Sequence, residues 1–112
     1  MKSLLTIILI MVTLVPATGY SAQEPTVKLG ALYNLTGGMS SIDSPACRGS
    51  LLAVKLLNKK GGVLAGKTLE LVVIDTKTDL QAAKSGAAKL VSTPIVAGLG
   101  YGDSDSVLAA AP

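Results

Sequence analysis

The 112-residue sequence contains no histidine, no tryptophan and no phenylalanine, and it has a single cysteine. Without histidine, the chain can form neither a histidine-ligated metal site nor a Ser-His or Cys-His catalytic pair. Cys47 has no second cysteine in the chain with which to form a disulfide, so we interpret it as a small, semi-buried helical residue. The only aromatic residues are Tyr20, Tyr33 and Tyr101, which means that any core must be aliphatic.

Charged residues are sparse as well. Ten Lys and Arg residues stand against seven Asp and Glu, and the lysines are scattered along the chain. No basic patch is interleaved with aromatic residues, as a nucleic-acid-binding surface would require. Paired carboxylates, a nucleophile elbow and a Walker sequence are also missing. We therefore expect no nucleic-acid partner, no metal, no cofactor and no catalytic residues.

The first 22 residues have the pattern of a secretory signal peptide. Lys2 precedes a continuous apolar run from Leu4 to Val15, and small residues cluster between positions 17 and 22. The alternative is a membrane anchor, but this run is shorter than the roughly 20 apolar residues that cross a bilayer. We predict that residues 1–22 are removed on export, leaving residues 23–112 with no stable membrane anchor.

The remaining chain alternates between strand-like and helix-like stretches. Strands are predicted at residues 26–35, 68–75 and 95–100. Helices are predicted at residues 45–60, with Ser44 as N-cap before Pro45, at 80–92 after Asp79, and from Asp103 or Ser104 onward. Such alternation is typical of right-handed crossovers in a parallel sheet. The sequence thus predicts an α/β fold with strand order two, one, three and helices on both faces.

Two polar loops, residues 33–43 and 100–106, follow strands one and three. Ligands of open α/β sheets bind beyond the carboxyl ends of the strands, where the strand order reverses, so we expect a small polar ligand between these loops. Gly102 would let the backbone approach the ligand, and Ser104 would offer a hydroxyl. Asp103 either caps the third helix or meets a ligand ammonium, and both interpretations remain open. Asp105 is interpreted as a solvated acid.

Three stretches of the sequence resemble a known family: "VKLGALYNLTGG", "ACRGSLLAVKLLNKKGGVLAGKTLELVVIDTKTD" and "AAKLVSTPIVAGLGYGDSDSVLAAAP". Together they resemble the amino-terminal part of type I periplasmic solute-binding proteins, the branched-chain amino-acid (Leu/Ile/Val) receptors of ABC importers. The most specific part is the Arg48-Gly49 pair entering a helix, followed by "NKKGGVLAGKTLELVVIDT". The resemblance covers essentially the whole chain after the signal peptide.

The resemblance implies two Rossmann-like lobes, joined by a hinge, that close over a small polar ligand. This chain would be the first part of lobe one, a partial Rossmann-like parallel sheet. Carried over by position, the first-lobe ligand contacts are Tyr33, Thr36, Ser41, Gly102, Asp103 and Ser104. Many amino-acid binders have serine or threonine where Gly102 stands, so one side-chain contact to a ligand carboxylate is missing here.

By this resemblance, residues 23–112 are a truncated N-terminal part of a leucine-binding-protein-like domain, too short for one complete lobe. The implied function is that of an exported substrate-binding component of an ABC importer, binding branched-chain or other small amino acids. Its partners would be an amino-acid or amide ligand and the membrane permease of the importer. The alternatives are an amide- or urea-binding receptor or a ligand-sensing ectodomain of the same fold, and last a small secreted α/β enzyme.

Overall fold

A computed structural model describes residues 25–111, and the predicted signal peptide lies outside these residues. The elements are β1 (Thr26–Tyr33), α1 (Ser40–Lys59), β2 (Thr68–Asp75), α2 (Leu80–Val91), β3 (Ala97–Gly100) and α3 (Ser104–Ala110). The strands form one parallel sheet in the order β2-β1-β3. The predicted fold class and strand order are confirmed, with β1 at the centre of the described sheet.

Strand β1 takes part in all of the strand pairing in the described sheet. It pairs with β2 over all eight residues, from Thr26 opposite Thr68 to Tyr33 opposite Asp75. It pairs with β3 over only four residues, ending with Leu32 opposite Gly100. Because parallel strands end at the same edge, the loops after all three strands meet at one edge of the sheet.

Helices cover β1 from both faces. On one face Ala31 and Tyr33 are buried together with Cys47 of α1, and Leu35, Leu71 and Val73 pack around them. Cys47 is therefore a buried core residue, where the sequence predicted a semi-buried one; burial raises the pKa of its thiol, and the charge of Arg48 lowers it in part.

On the other face two glycines let α2 approach the sheet closely. A Cβ atom on Gly30 would lie 2.8 Å from Leu90 Cδ1, and one on Gly86 would lie 3.0 Å from Leu32 Cδ2. Alanine at either position would push the helix away from the sheet.

Helix α1 begins earlier than the sequence predicts. The N-cap is Met39, which makes no side-chain capping bond, and Pro45 lies inside the helix. Ser44 is not the cap, since its hydroxyl donates to the Leu35 carbonyl oxygen at 3.3 Å. The extra turn is stabilised by Asp43, whose carboxylate accepts hydrogen bonds from two backbone N–H groups in other loops. These long-range bonds offset the backbone hydrogen bond that proline cannot donate.

The caps of the other two helices are local and follow the prediction. Asp79 accepts from the Ala82 N–H at 2.6 Å, and Asp103 accepts from the Ser106 N–H at 2.8 Å. Strand β3 begins two residues later than predicted, and all four of its residues are exposed. No helix within residues 25–111 is long and apolar enough to cross a membrane.

Candidate functional site

Three loops meet at the carboxyl edge of the sheet around one buried side chain, Asn34. This residue directly follows β1 and has no exposed surface. Its amide nitrogen donates to Asp103 Oδ2 at 2.9 Å and to Ser106 Oγ at 3.4 Å. Its amide oxygen accepts from Thr76 Oγ1 at 2.7 Å and from the Thr78 N–H at 3.0 Å. Asn34 therefore connects the ends of all three strands.

A second buried group, the carboxylate of Asp43, connects two of the same loops. Asp43 is fully buried. One oxygen accepts from the Asn34 N–H at 2.8 Å, and the other accepts from the Gly102 N–H at 2.7 Å. A carboxylate at the beginning of a helix is also favoured by the helix dipole. Asp43 thus holds the start of α1 against the loop that follows β3.

The third connection is made by Asp75 at the end of β2. Its carboxylate accepts from the backbone N–H groups of Leu35, Thr36 and Lys77 and from the Thr36 hydroxyl, at 2.8 to 3.3 Å. Desolvation works against the charged form, but these hydrogen bonds outweigh it and hold the pKa of Asp75 below its usual value. The polypeptide after β1 is therefore fixed to the end of β2.

Above this polar junction lies an open groove of about 370 Å³, lined by Tyr101, Gly102, Asp103, Ser104, Val107 and Leu108. Its polar side is the turn into α3. Its apolar side is formed by Val107 and Leu108, and Leu108 is 73% exposed. A groove that places a few polar groups beside exposed aliphatic side chains suits a small amphipathic molecule.

Gly102 lies in the groove, but its backbone N–H is not directed to a ligand, because it donates to Asp43. A Cβ atom at this position would lie 2.6 Å from Ile42 Cγ2 and 2.8 Å from Asp43 Oδ1. Ile42 and Asp43 therefore occupy the space that a serine or threonine would need. The departure from the family pattern that the sequence shows at Gly102 has a steric reason here.

Asp103 and Ser104 also lie in the groove. Asp103 caps α3, so the capping interpretation of the sequence is confirmed. Its other oxygen accepts from Asn34. Ser104 is exposed at the first residue of α3, and Asp105 is exposed beside it. Whether Asp103 and Ser104 also contact a ligand stays a prediction.

The predicted contacts from the loop after β1 do not line this groove. Tyr33 is buried under α1, and its hydroxyl makes a 2.8 Å hydrogen bond with Ser50 Oγ. Thr36 is exposed and donates to Asp75, and Ser41 is exposed in the first turn of α1. The structure therefore brings Gly102, Asp103 and Ser104 together and leaves Tyr33, Thr36 and Ser41 apart from them.

Tyr101 is a groove residue that the sequence reasoning did not select. Its backbone has a φ of 56°, in the left-handed region that residues other than glycine rarely adopt. Its buried hydroxyl has no hydrogen-bond partner among residues 25–111. Burial raises the pKa of this phenol, the nearby Thr76 side chain lowers it in part, and the negative charges of Asp103 and Asp43 raise it further. No group of three or more Cys, Asp or Glu residues within the described chain is placed to hold a metal ion.

The fold is shared with solved amino-acid-binding proteins. One is LivJ from Streptococcus pneumoniae, the substrate-binding protein of a branched-chain amino acid transporter, which was solved with isoleucine. It superposes with a TM-score of 0.72 at 30% identity, and the match covers 76% of this chain and 24% of the LivJ chain. The leucine-binding protein LivK from Thermotoga maritima superposes with a TM-score of 0.62 at 25% identity, covering 74% of this chain and 23% of its own. The chain thus spans about a quarter of these relatives.

A comparison with curated protein sequences gives no match. The family model described as "periplasmic binding protein" matches residues 26–112, which include every strand and helix described above. The parallel sheet in the order β2-β1-β3, with polar loops at its carboxyl edge, is the arrangement that the alternation of strands and helices in the sequence predicted. On this evidence the chain belongs to the periplasmic binding protein family.

Proposed function

We propose that this chain supplies the first part of the ligand-binding lobe of an exported substrate-binding protein that serves an ABC importer and binds small amino acids, including branched-chain ones. The observation that carries this proposal is the groove at the carboxyl edge of the sheet, where Asp103 and Ser104 lie next to Val107 and Leu108. The names of the two solved relatives, a branched-chain amino acid binder and a leucine binder, support the ligand class.

The groove has a polar group for each charged end of an amino acid. In this proposal the exposed Ser104 hydroxyl donates to the ligand carboxylate. The Asp103 carboxylate accepts from the ligand ammonium. Each Asp103 oxygen already accepts one hydrogen bond, and an ionised carboxylate has about four acceptor positions in all, so capacity remains. Val107 and Leu108 then lie where an aliphatic ligand side chain would be shielded from water.

The amide of Gly102 has no part in this proposal, because Asp43 already accepts its hydrogen. Tyr33 is likewise assigned to the core, where its hydroxyl meets Ser50. Thr36 and Ser41, both exposed on the β1 side of the same edge, remain proposed contacts that would need to meet the ligand from outside the groove.

The rest of the binding protein is required for this function. Since the chain spans about a quarter of the solved relatives, a complete cleft needs the remainder of lobe one and a second lobe. In the proposal the first 22 residues direct export to the periplasm and are then removed. The loaded protein then docks onto the membrane permease of the importer.

A receptor for amides or urea of the same fold is the second candidate, and Gly102 is the observation that favours it. With Ile42 and Asp43 in the way, no serine or threonine hydroxyl can meet a ligand carboxylate at this position. Without that hydroxyl, a ligand with a neutral carbonyl would lose less binding free energy than a ligand with a charged carboxylate. A ligand-sensing role of the same fold would share the site, and neighbouring permease and ATPase genes would favour import instead.

Isothermal titration calorimetry of the complete two-lobed protein tests the proposal. In that protein residues 26–112 are followed by the rest of the fold, taken from the downstream gene sequence or from the S. pneumoniae relative. We expect heat of binding with L-isoleucine, L-leucine or L-valine. Asp103→Ala should weaken binding by about 2–5 kcal/mol, because closure of the second lobe would bury the proposed contact between its carboxylate and the ligand ammonium.

The matched control is Ser85→Ala on α2, whose hydroxyl bonds only within its own helix. It should leave the affinity unchanged, whereas Ser104→Ala should weaken it. Binding of acetamide or urea without binding of any amino acid would favour the second candidate. Unchanged affinity in both Asp103→Ala and Ser104→Ala would mean that these two residues only cap and begin α3 and do not contact the ligand.

A further inference from the structure

The side chain of Asn34 has only one orientation that satisfies its neighbours. The Thr78 N–H can only donate, so the amide oxygen must face it. The Asp103 carboxylate accepts, so the amide nitrogen must face that side. Because all four partners are within hydrogen-bond distance and the residue is fully buried, the amide cannot turn over without breaking bonds on both sides.

This orientation divides the bonds of Asn34 between two loops. The oxygen side holds Thr76 and Thr78 after β2, and the nitrogen side holds Asp103 and Ser106 after β3. Loops after strands are usually more mobile than the strands they follow. Here one side chain at the end of the central strand joins both, so the turn that forms the polar side of the groove is fixed to the sheet.

We propose that Asn34 is a positioning residue for the groove: it sets the direction of the Asp103 carboxylate without contacting the ligand. This inference rests on the proposed binding function. Asp103 Oδ1 is held by the Ser106 N–H and Oδ2 is held by Asn34, so the carboxylate is fixed at both oxygens. With the Asn34 bond removed, the carboxylate would be held only by the Ser106 N–H, so its second oxygen would lose its direction and the capping bond itself would weaken. A misdirected contact of this kind weakens binding even when the fold is intact.

The variant Asn34→Asp separates the two halves of this arrangement. It has nearly the same shape, and one oxygen still accepts from Thr76 and Thr78. The other oxygen replaces the donor that faces Asp103 at 2.9 Å, so two carboxylate oxygens now face each other. We expect the affinity of the two-lobed protein for L-isoleucine at pH 7 to fall at least ~10-fold. We also expect the Ser106 amide to exchange faster with solvent.

The double variant Asn34→Asp/Asp103→Asn exchanges donor and acceptor. The amide introduced by Asp103→Asn can donate to the carboxylate introduced by Asn34→Asp. Its own oxygen still caps α3, since asparagine is a good N-cap. Slow exchange of the Ser106 amide should therefore return. A double-mutant cycle on the L-isoleucine affinity compares the pair with each single variant and isolates the coupling between the two positions.

The control is Asp79→Ala, which removes the cap of α2 at a residue that does not line the groove. It should lower the melting temperature and leave the affinity for L-isoleucine unchanged, which separates a loss of stability from a loss of positioning. If Asn34→Asp alone does not fold, the double variant decides. Recovery of the fold and of the Ser106 protection supports the proposal, and failure to recover overturns it.

Two further outcomes are distinguishable. If no amino acid binds the unmodified protein but the Ser106 amide responds to the variants as expected, the proposed function is wrong and the positioning of Asp103 by Asn34 stands. If Asn34→Asp leaves both the affinity and the Ser106 exchange rate unchanged, Asn34 does not position the groove.

Discussion

Replacing Asp43 by asparagine should destabilise the protein more than the same change at any other aspartate in residues 25–111. Its carboxylate is fully buried and accepts two short hydrogen bonds, at 2.7 and 2.8 Å, from the Gly102 and Asn34 N–H groups. An asparagine can keep only one of these, because its NH₂ group would face an N–H donor. A hydrogen bond to a charged group contributes about 1.5–3 kcal/mol, and a buried donor left unpaired costs about 1–3 kcal/mol.

We therefore expect Asp43→Asn to lower the free energy of unfolding by about 2–4 kcal/mol. Asp43→Ala, which leaves both donors unpaired, should lower it by about 3–5 kcal/mol. These values are a large part of the total stability of a typical domain, about 5–15 kcal/mol. The measurement is urea unfolding of the two-lobed protein, followed by circular dichroism, with the slope of the transition checked for constancy.

The matched control is Asp105→Asn, the same chemical change on an exposed carboxylate in the first turn of α3. It should change the free energy of unfolding by no more than about 1 kcal/mol, since only a solvated interaction with the helix dipole is lost. Equal effects of Asp43→Asn and Asp105→Asn would refute the reasoning. They would mean that water or a shifted loop replaces the bonds of Asp43.

Three more outcomes are expected. Gly102→Ser should lower the free energy of unfolding by about 1–3 kcal/mol, because the new side chain crowds Ile42. Gly98→Ser should not lower it, since a Cβ atom at Gly98 meets nothing within 4 Å, and Ile42→Ala should relieve the loss caused by Gly102→Ser. Equal stability of the two serine variants would contradict this prediction. Folding lowers the pKa of Asp75, so the stability that its carboxylate contributes is present above its unfolded pKa of about 3.9 and is lost as pH falls through the folded pKa. Asp75→Asn should therefore weaken the pH dependence of the free energy of unfolding below pH ~4. An unchanged acid profile would show that Asp75 is not responsible for this dependence. Residues 23–112 alone should unfold without a sharp transition, because β3 is exposed throughout and Val91 and Leu108 are 83% and 73% exposed; a cooperative melt of a monomer would contradict this.

Sequence reasoning succeeded where local forces decide the structure. The bounds of β2 were predicted correctly, since an apolar run ends at a single aspartate, Asp75. The start of α2 was also correct, because Asp79 and the Ala82 N–H are three residues apart and need no distant partner. The strand order followed from the crossover rule together with the alternation of elements.

Sequence reasoning failed where one residue depends on others far along the chain. Pro45 predicted a helix start that Asp43 moves earlier through bonds to Asn34 and Gly102, the latter 59 residues away. The alternation along β1 puts Tyr33, a predicted ligand contact, on the same face as Ala31, under α1. The period of two was visible in the sequence, whereas the identity of the face that α1 covers was not.

By itself, the sequence determined the α/β class, the order of the strands, the local helix caps and the edge of the sheet where polar loops collect. These follow from hydrophobic period, capping residues and chirality, all of which act over a few neighbouring residues. Only the tertiary structure decided that Asn34 joins three loops, that Asp43 uses the Gly102 amide, and that Ile42 leaves no room for a side chain at Gly102. Each of these is a contact between residues whose separation in space is set by the packing of the whole sheet and its helices, so no stretch of sequence contains it.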